Sequence, residues 1–394
     1  MAILRKIIAF YKRFSIAMVS LAIILMLINI GLWVSIPTIR ALKKHITNPV
    51  SSKYKSKFSE LYPDLEWRSV NSLLNETWSR PYAFEPFTQF KERAFHGHFV
   101  NVSEEGFRLS KNQSLWPPDS SATTIYLFGG STTFGYGLPD SQTIASFLQT
   151  YIRDSLHVPA NVFNWGRSNY YSSQELNLFM KLTRESHPPQ IAVFIDGLND
   201  FFFYEDQPEF TVALAKFFDS NSSVGVHSFA YNLSTLVARL PIYAICQSFS
   251  ERIKDLSGYK SCQESDNADI NAKVWRRYQN FMRAANAVAA EYHIKTLFVW
   301  QPIPLYKYDL QYHQFPIKDL EGHVYVRHGY EYVCKYLENH SLKENFLFAA
   351  NMQEHLAMPL YIDKMHYSAK MCGLIAALIG KQLVEKNILP EPMK

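Results

Sequence analysis

The sequence predicts an α/β protein, a parallel sheet covered by helices on both faces, preceded by one membrane-spanning segment. Three observations predict it. From Thr123 onward, short apolar, β-favouring runs alternate with helix-length runs, the order of strands joined by crossover helices. Strands of that short, buried character belong to sheets covered on both sides. Near the amino terminus, Phe14 to Ile39 is a block of 26 uncharged residues, and about 20 such residues cross a bilayer core as a helix.

Composition narrows the class further. Hydrophobic residues make up 47% and charged residues 19% of the 394, enough apolar mass for one large α/β domain with additions and too much for a disordered chain. The net charge of +5 is unevenly placed. Residues 1 to 57 hold ten Lys or Arg and no Asp or Glu, leaving 30 basic against 35 acidic residues in the remainder. The folded part is therefore net negative and should repel a polyphosphate, so no nucleic-acid partner is expected.

Residues 1–13 read as a basic tail and 14–39 as an uncleaved anchor. A cleaved signal peptide is the competing reading. The apolar core exceeds the roughly 7 to 15 residues of that class, and no small-x-small cleavage site follows it. Basic residues flank both ends, including Arg40, Lys43 and Lys44, so the positive-inside rule does not set the orientation. Anchors this close to the amino terminus commonly send a large following domain across the membrane, which places that domain on the extracytoplasmic side.

Residues 40–120 combine a polar stalk with aromatic and proline-rich pieces. His98 to Ser103 alternates like a strand, and Glu105-Gly-Phe-Arg108 reads as a turn, so this segment is expected to be a small β-rich apron. Strands are expected at Thr124–Phe128, Asn161–Asn164, Ile191–Ile195, Thr296–Trp300 and Asn345–Phe348. Helices are expected at Thr143–Ile152, Ser172–Leu182, Ala272–Tyr292 and Ala369–Leu383. Residues 121–385 then form the main domain, with an insertion at about 201–270 and a tail at 386–394.

Ligands of such sheets bind at the carboxyl ends of the strands, and four segments there carry chemistry. Thr124-Ile-Tyr-Leu-Phe-Gly-Gly-Ser131 is a strand, a sharp turn and a serine followed by a helix-like run, a setting suited to a nucleophile. Phe163-Asn-Trp-Gly166 ends the second strand with a glycine whose amide can face the same edge. Phe194-Ile-Asp-Gly-Leu-Asn-Asp200 places Asn199 where its side-chain amide can meet an oxyanion. In Tyr361-Ile-Asp-Lys-Met-His-Tyr-Ser368, His366 can take a proton from Ser131 while Asp363 fixes the tautomer. Each segment also has a plainer reading: Gly166 as a turn glycine, Asn199 and Asp200 as a helix cap, Asp363 and His366 as a surface pair at a helix start. Their order along one sheet edge favours the chemical one.

These four segments resemble the ordered blocks of the SGNH, or GDSL-like, hydrolase superfamily over about residues 121 to 385. Gly130-Ser131 resembles the first block, Gly166 the second, Gly197-x-Asn199-Asp200 the third and Asp363-x-x-His366 the last. The first block departs from the family pattern, reading Gly-Gly-Ser-Thr in place of Gly-Asp-Ser-Leu. The resemblance implies a three-layer α/β/α, flavodoxin-like sandwich with about five parallel strands. It implies ester hydrolysis or acyl transfer through an acyl-enzyme on Ser131, with the catalytic set Ser131, Asp363 and His366. The Ser131 amide, the Gly166 amide and the Asn199 side chain would form the oxyanion hole, with no metal or cofactor.

The expected substrate is an acyl ester, an acylated glycan or lipid of the cell envelope. The rival reading is an idle protein of the same fold that binds glycan or serves assembly. The insertion is aromatic, with Phe201, Phe202, Phe203, Tyr204, Phe210, Phe217, Phe218 and Phe229. It reads as a lid or binding element, or as aromatics packed on the apron. Of the four cysteines, Cys246 and Cys262 can close a loop if the domain is exported; Cys372 reads as a buried thiol.

Overall fold

The computed structural model describes residues 2–46, 58–118, 121–185, 187–221, 240–243, 268–315, 320, 324–342 and 344–389. Cys246, Cys262 and Phe229 lie outside the described residues. The chain divides into two compact units, residues 1–52 with 212–261, and residues 53–211 with 262–394.

In the first unit, helix α1 (Ala2–Ile46) contains the one described stretch, Ile3–Ile36, long and apolar enough to cross a membrane. Asn29 is the buried polar residue of that stretch. Its Nδ2 donates to Leu25 O at 2.8 Å and its Oδ1 accepts from Ile242 N at 3.2 Å, so the amide is satisfied internally, as an apolar surround requires.

The second unit is built on five parallel strands: β5 (Thr123–Gly129), β6 (Ala160–Asn164), β7 (Ile191–Asp196), β8 (Lys295–Trp300) and β9 (Phe346–Phe348). Their spatial order is β6-β5-β7-β8-β9. This is the flavodoxin-like, doubly wound arrangement, in which the order reverses at β5 and leaves a crevice beyond the strand ends. The sheet's two faces differ in kind because side chains alternate along each strand. One face carries Tyr126, Phe128, Phe163, Phe194, Phe298 and Trp300, all in one buried cluster with helices α5 (Ser172–Arg184), α8 (Ala268–Glu291) and α9 (Val324–Asn339). Phe128, Phe194 and Phe298 stack across three adjacent strands, with ring centroids 4.8 and 5.2 Å apart. The other face is aliphatic, with Ile125, Leu127, Val193, Ile195, Leu297 and Val299 buried. Helices α4 (Ile144–Thr150) and α10 (Ala369–Glu385) pack together beyond that face, each started by a hydroxyl cap: Thr143 Oγ1 accepts from Ser146 N, and Ser368 Oγ from Met371 N.

The apron precedes the sheet. It comprises helix α2 (Trp67–Trp78), the antiparallel pair β1 (Tyr82–Glu85) and β2 (Gln89–Glu92), and the short pair β3 (Phe95–His96) and β4 (Asn101–Val102). The strand expected over His98–Ser103 is reduced to Asn101–Val102. The amides of His98, Phe99 and Val100 donate to the Glu76 carboxylate at 3.1, 2.8 and 3.0 Å, so a side chain takes the donors that a neighbouring strand would need. Of the insertion's aromatics, Phe201 packs against Trp300 and Tyr330, and Phe210 against Tyr82 and Phe90 of the apron. Phe217 and Phe218 are exposed.

Candidate active site

Strand β5 delivers Ser131 through a turn that only glycine permits. A Cβ on Gly129 would lie 2.1 Å from Thr133 Oγ1, and one on Gly130 would lie 2.4 Å from Asn199 Nδ2. Ser131 opens a one-turn helix, α3 (Ser131–Phe134). Its hydroxyl sits 2.9 Å from His366 Nε2, and His366 Nδ1 sits 2.7 Å from Asp363 Oδ2. With Nδ1–H donating to the carboxylate, the Nε2 lone pair faces the serine hydroxyl, which donates to it.

The Asp-x-x-His spacing has a local cause. Asp363 Oδ1 accepts the amides of Met365 and His366 at 2.9 and 2.8 Å, an Asx-type turn that folds the segment back on itself and swings the imidazole under the second carboxylate oxygen. Ile362 N to His366 O at 2.8 Å closes the loop. Burial alone would raise the Asp363 carboxyl. The facing His366 and the hydrogen bonds from His366 and Met365 outweigh it and hold the group well below the ordinary aspartate range. Tyr136 stacks on the imidazole with centroids 5.6 Å apart and planes at 21°.

Two ties bind the end of β8 to this pair. Thr132 Oγ1 donates to Gln301 Oε1 at 2.9 Å, and Tyr367 Oη donates to Pro302 O at 2.7 Å. The residues directly after Ser131 and after His366 are thus held by consecutive residues of one strand exit.

Asn199 lies on the one-turn helix α6 (Leu198–Phe202) at the end of β7. Its Nδ2 donates to Tyr170 O at 2.7 Å, and its contact with the Gly130 position brings it beside Ser131. Asp200 is fully buried and accepts from Ser172 Oγ at 2.5 Å, pinning α6 to the start of α5.

The Gly166 amide already has a hydrogen-bond partner. It donates to Asn164 Oδ1 at 3.0 Å, and Asn164 Nδ2 donates onward to Thr133 O at 2.9 Å. A Cβ at Gly166 would lie 2.4 Å from Phe134 N and 2.8 Å from Thr133 C. This glycine lets the exit of β6 lie against the α3 turn, and its amide donates to the Asn164 side chain there. The segment that does reach Gly130 and Asn199 comes later, at Tyr170 O, just after Asn169 turns the chain with φ +58°. Asn is among the non-glycine residues most at ease there, which was the available signal.

Sequence reading also missed Arg108, in the segment read as a turn. Fully buried, it donates from Nη1 to Phe134 O and Gly135 O at 2.9 and 2.6 Å, from Nη2 to Leu138 O, and from Nε to Asp140 Oδ1 at 2.9 Å. It staples the loop that leaves Ser131. Ion pairs tie the apron to the main domain: Arg167 pairs with Glu85, Lys181 with the same Glu85 at 2.6 Å, and Glu92 accepts from Ser168 N at 3.1 Å while pairing with Arg80. Behind α6, burial raises Glu175, Asp196 and Asp200; repulsion from Asp196 and Asp200 adds to it at Glu175 and from Asp200 at Asp196, while the Arg277 guanidinium opposes it at Asp200.

No family model and no curated protein matches the chain. Solved structures with a similar course include a member of the lipolytic G-D-S-L family from Veillonella parvula (12% identity, 67% of this chain and 97% of that one, TM-score 0.34). A lipase/acylhydrolase from Enterococcus faecalis follows at 15% identity, 67% and 96% coverage and TM-score 0.35. A lipase from a goat rumen metagenome has 10% identity, 66% and 97% coverage and TM-score 0.39. Likeness at this level assigns no activity, and the reading below rests on the residues of this chain.

Proposed function

We propose that this chain is a membrane-anchored serine esterase or O-acyltransferase, with its main domain on the extracytoplasmic side, acting on an acylated envelope glycan or lipid. The supporting observation is the continuous hydrogen-bonded line from Asp363 through His366 to Ser131, with separations of 2.7 and 2.9 Å. In this reading Ser131 Oγ attacks the ester carbonyl as His366 Nε2 takes its proton, and Asp363 stabilises the imidazolium that forms. Oxygen charge is met by the Ser131 amide and by Asn199. A primary amide has two N–H donors, and with one of them on Tyr170 O the other remains for the oxyanion. His366 returns its proton to the leaving alcohol. Water or a sugar hydroxyl, deprotonated by the same imidazole, then releases the acyl group.

The deciding experiment is labelling with a fluorophosphonate, followed by peptide mass spectrometry. The expected adduct is on Ser131 and is absent from Ser131→Ala. Labelling that survives that substitution would overturn the mechanism.

A further inference from the structure

Both nitrogens of the His366 imidazole are engaged in the plane of the ring, Nδ1 with Asp363 Oδ2 and Nε2 with Ser131 Oγ. What remains of the ring is its faces. Tyr136 stacks on one of them, with centroids 5.6 Å apart and planes at 21°, an offset contact of the kind aromatic pairs favour.

The loop that carries Tyr136 is tied to the nucleophile itself. The amides of Gly135 and Tyr136 donate to Ser131 O at 3.0 and 3.1 Å, in a turn that passes through Gly135 with φ +85°. Arg108 holds the carbonyls of Phe134, Gly135 and Leu138, and Tyr62 Oη donates to Gly137 O at 3.0 Å. The Tyr136 ring also rests on Phe134, with centroids 5.2 Å apart. The place of this ring beside the imidazole is thus set by the same turn that sets Ser131.

What the ring can do there depends on charge. In the reading above, on which this inference rests, the imidazole becomes a cation when it takes the Ser131 proton. An aromatic face attracts a cation within about 6 Å of its centroid through the ring quadrupole. Loss of water around the Tyr136 hydroxyl, with the Glu92 charge adding to it, pushes that hydroxyl well up, so the phenol stays neutral and its face keeps that quadrupole. An attraction that appears only with the charge raises kcat and leaves KM where it was.

We propose that Tyr136 is a positioning residue that acts through His366, its ring face stabilising the imidazolium formed when the Ser131 proton arrives on Nε2. Asp363 meets that charge in the ring plane; Tyr136 meets it from the face. No bond forms or breaks at Tyr136, and the proton goes on from Nε2 to the leaving alcohol.

The test follows 4-nitrophenyl acetate turnover by the full chain. Tyr136→Leu should lower kcat about 2- to 30-fold with KM unchanged, and Tyr136→Phe should restore most of that loss. The quadrupole is then weakened at nearly constant shape, by phenylalanines carrying one, two or three ring fluorines at position 136. Each fluorine draws density from the ring face, so log kcat should fall stepwise along the series, a response that a merely space-filling ring does not give. Equal kcat across the series, a Tyr136→Leu variant as fast as the native chain, or a loss that Tyr136→Phe does not restore overturns the inference. Turnover abolished by Ser131→Ala would still leave the serine mechanism standing in those cases. Absence of turnover by the native chain, with no fluorophosphonate adduct on Ser131, removes both.

Discussion

The Asn199 side-chain amide donates to the Tyr170 carbonyl at 2.7 Å, directly over the place where a Cβ on Gly130 would stand. That bond fixes the plane of the amide before any ester arrives, and a donor already oriented costs no reorganisation when charge develops. Asn199→Ala is expected to lower kcat by about 10²–10³-fold, roughly 2.7–4 kcal/mol, with little change in KM or in melting temperature. A proportional rise in KM instead would mean that the amide binds the ground state.

Gly166 is expected to behave differently. Its amide is committed to Asn164, and a side chain there meets the backbone of Thr133 and Phe134. Gly166→Ala should lower thermal stability by several degrees along with activity. A variant of normal stability that had lost only kcat would return this amide to the oxyanion.

Asp363→Asn keeps the shape of the turn and reverses the polarity at His366 Nδ1. The expected loss in kcat is on the order of 10⁴-fold, with Ser131→Ala or His366→Ala costing at least as much. Stability should change in a defined direction with pH. The Asp363 carboxyl is held below its ordinary value, so the stability it contributes is present above the unfolded-state pKa and is lost as pH falls through the folded one. The gap in melting temperature between the native protein and Asp363→Asn should be widest near neutrality and narrow in acid.

The buried Glu175, Asp196 and Asp200 run the other way. With their pKa values raised, the stability of the protonated form is complete below the unfolded value and disappears as pH rises through the folded one. Glu175→Gln keeps one of these groups neutral at every pH. Its melting temperature should gain a few degrees on the native protein between pH 5 and pH 9; parallel curves would show that no proton is held there.

Arg108 satisfies three carbonyls of the loop after Ser131 and one carboxylate. Arg108→Met leaves these acceptors buried and Asp140 without its ion pair, at an expected cost of about 3–5 kcal/mol. Arg108→Lys should recover little of it, because an ammonium cannot span the fork. Urea unfolding measures both.

The central strands were legible because strands covered on both faces must be apolar throughout. The expected Ile191–Ile195 and Thr296–Trp300 differ from the observed strands by one residue each. Ser131, Asp363 and His366 were legible because each lies in a short local pattern, glycines before the serine and a three-residue step from carboxylate to imidazole. The partner of the Gly166 amide, Asn164 Oδ1, was not legible because sequence marks a tight approach without saying which way the amide points. Arg108 was hidden for a related reason: its partners are backbone carbonyls, which leave no trace in residue identity. The same holds for Glu76, whose capture of three amides shortened the strand expected at His98–Ser103.

The ion pair from β1 and the hydrogen bond from β2 to the loop after β6 bear on how the protein can be handled. Arg167 is wholly enclosed, and its counter-charge, Glu85, comes from the apron. A soluble fragment trimmed back to Thr123 would strand that guanidinium with no carboxylate and uncover the floor next to Ser168. Cutting between the anchor and Phe58 keeps helix, hairpin and sheet in one piece, so the shortest self-sufficient body begins well upstream of the segment that carries the nucleophile.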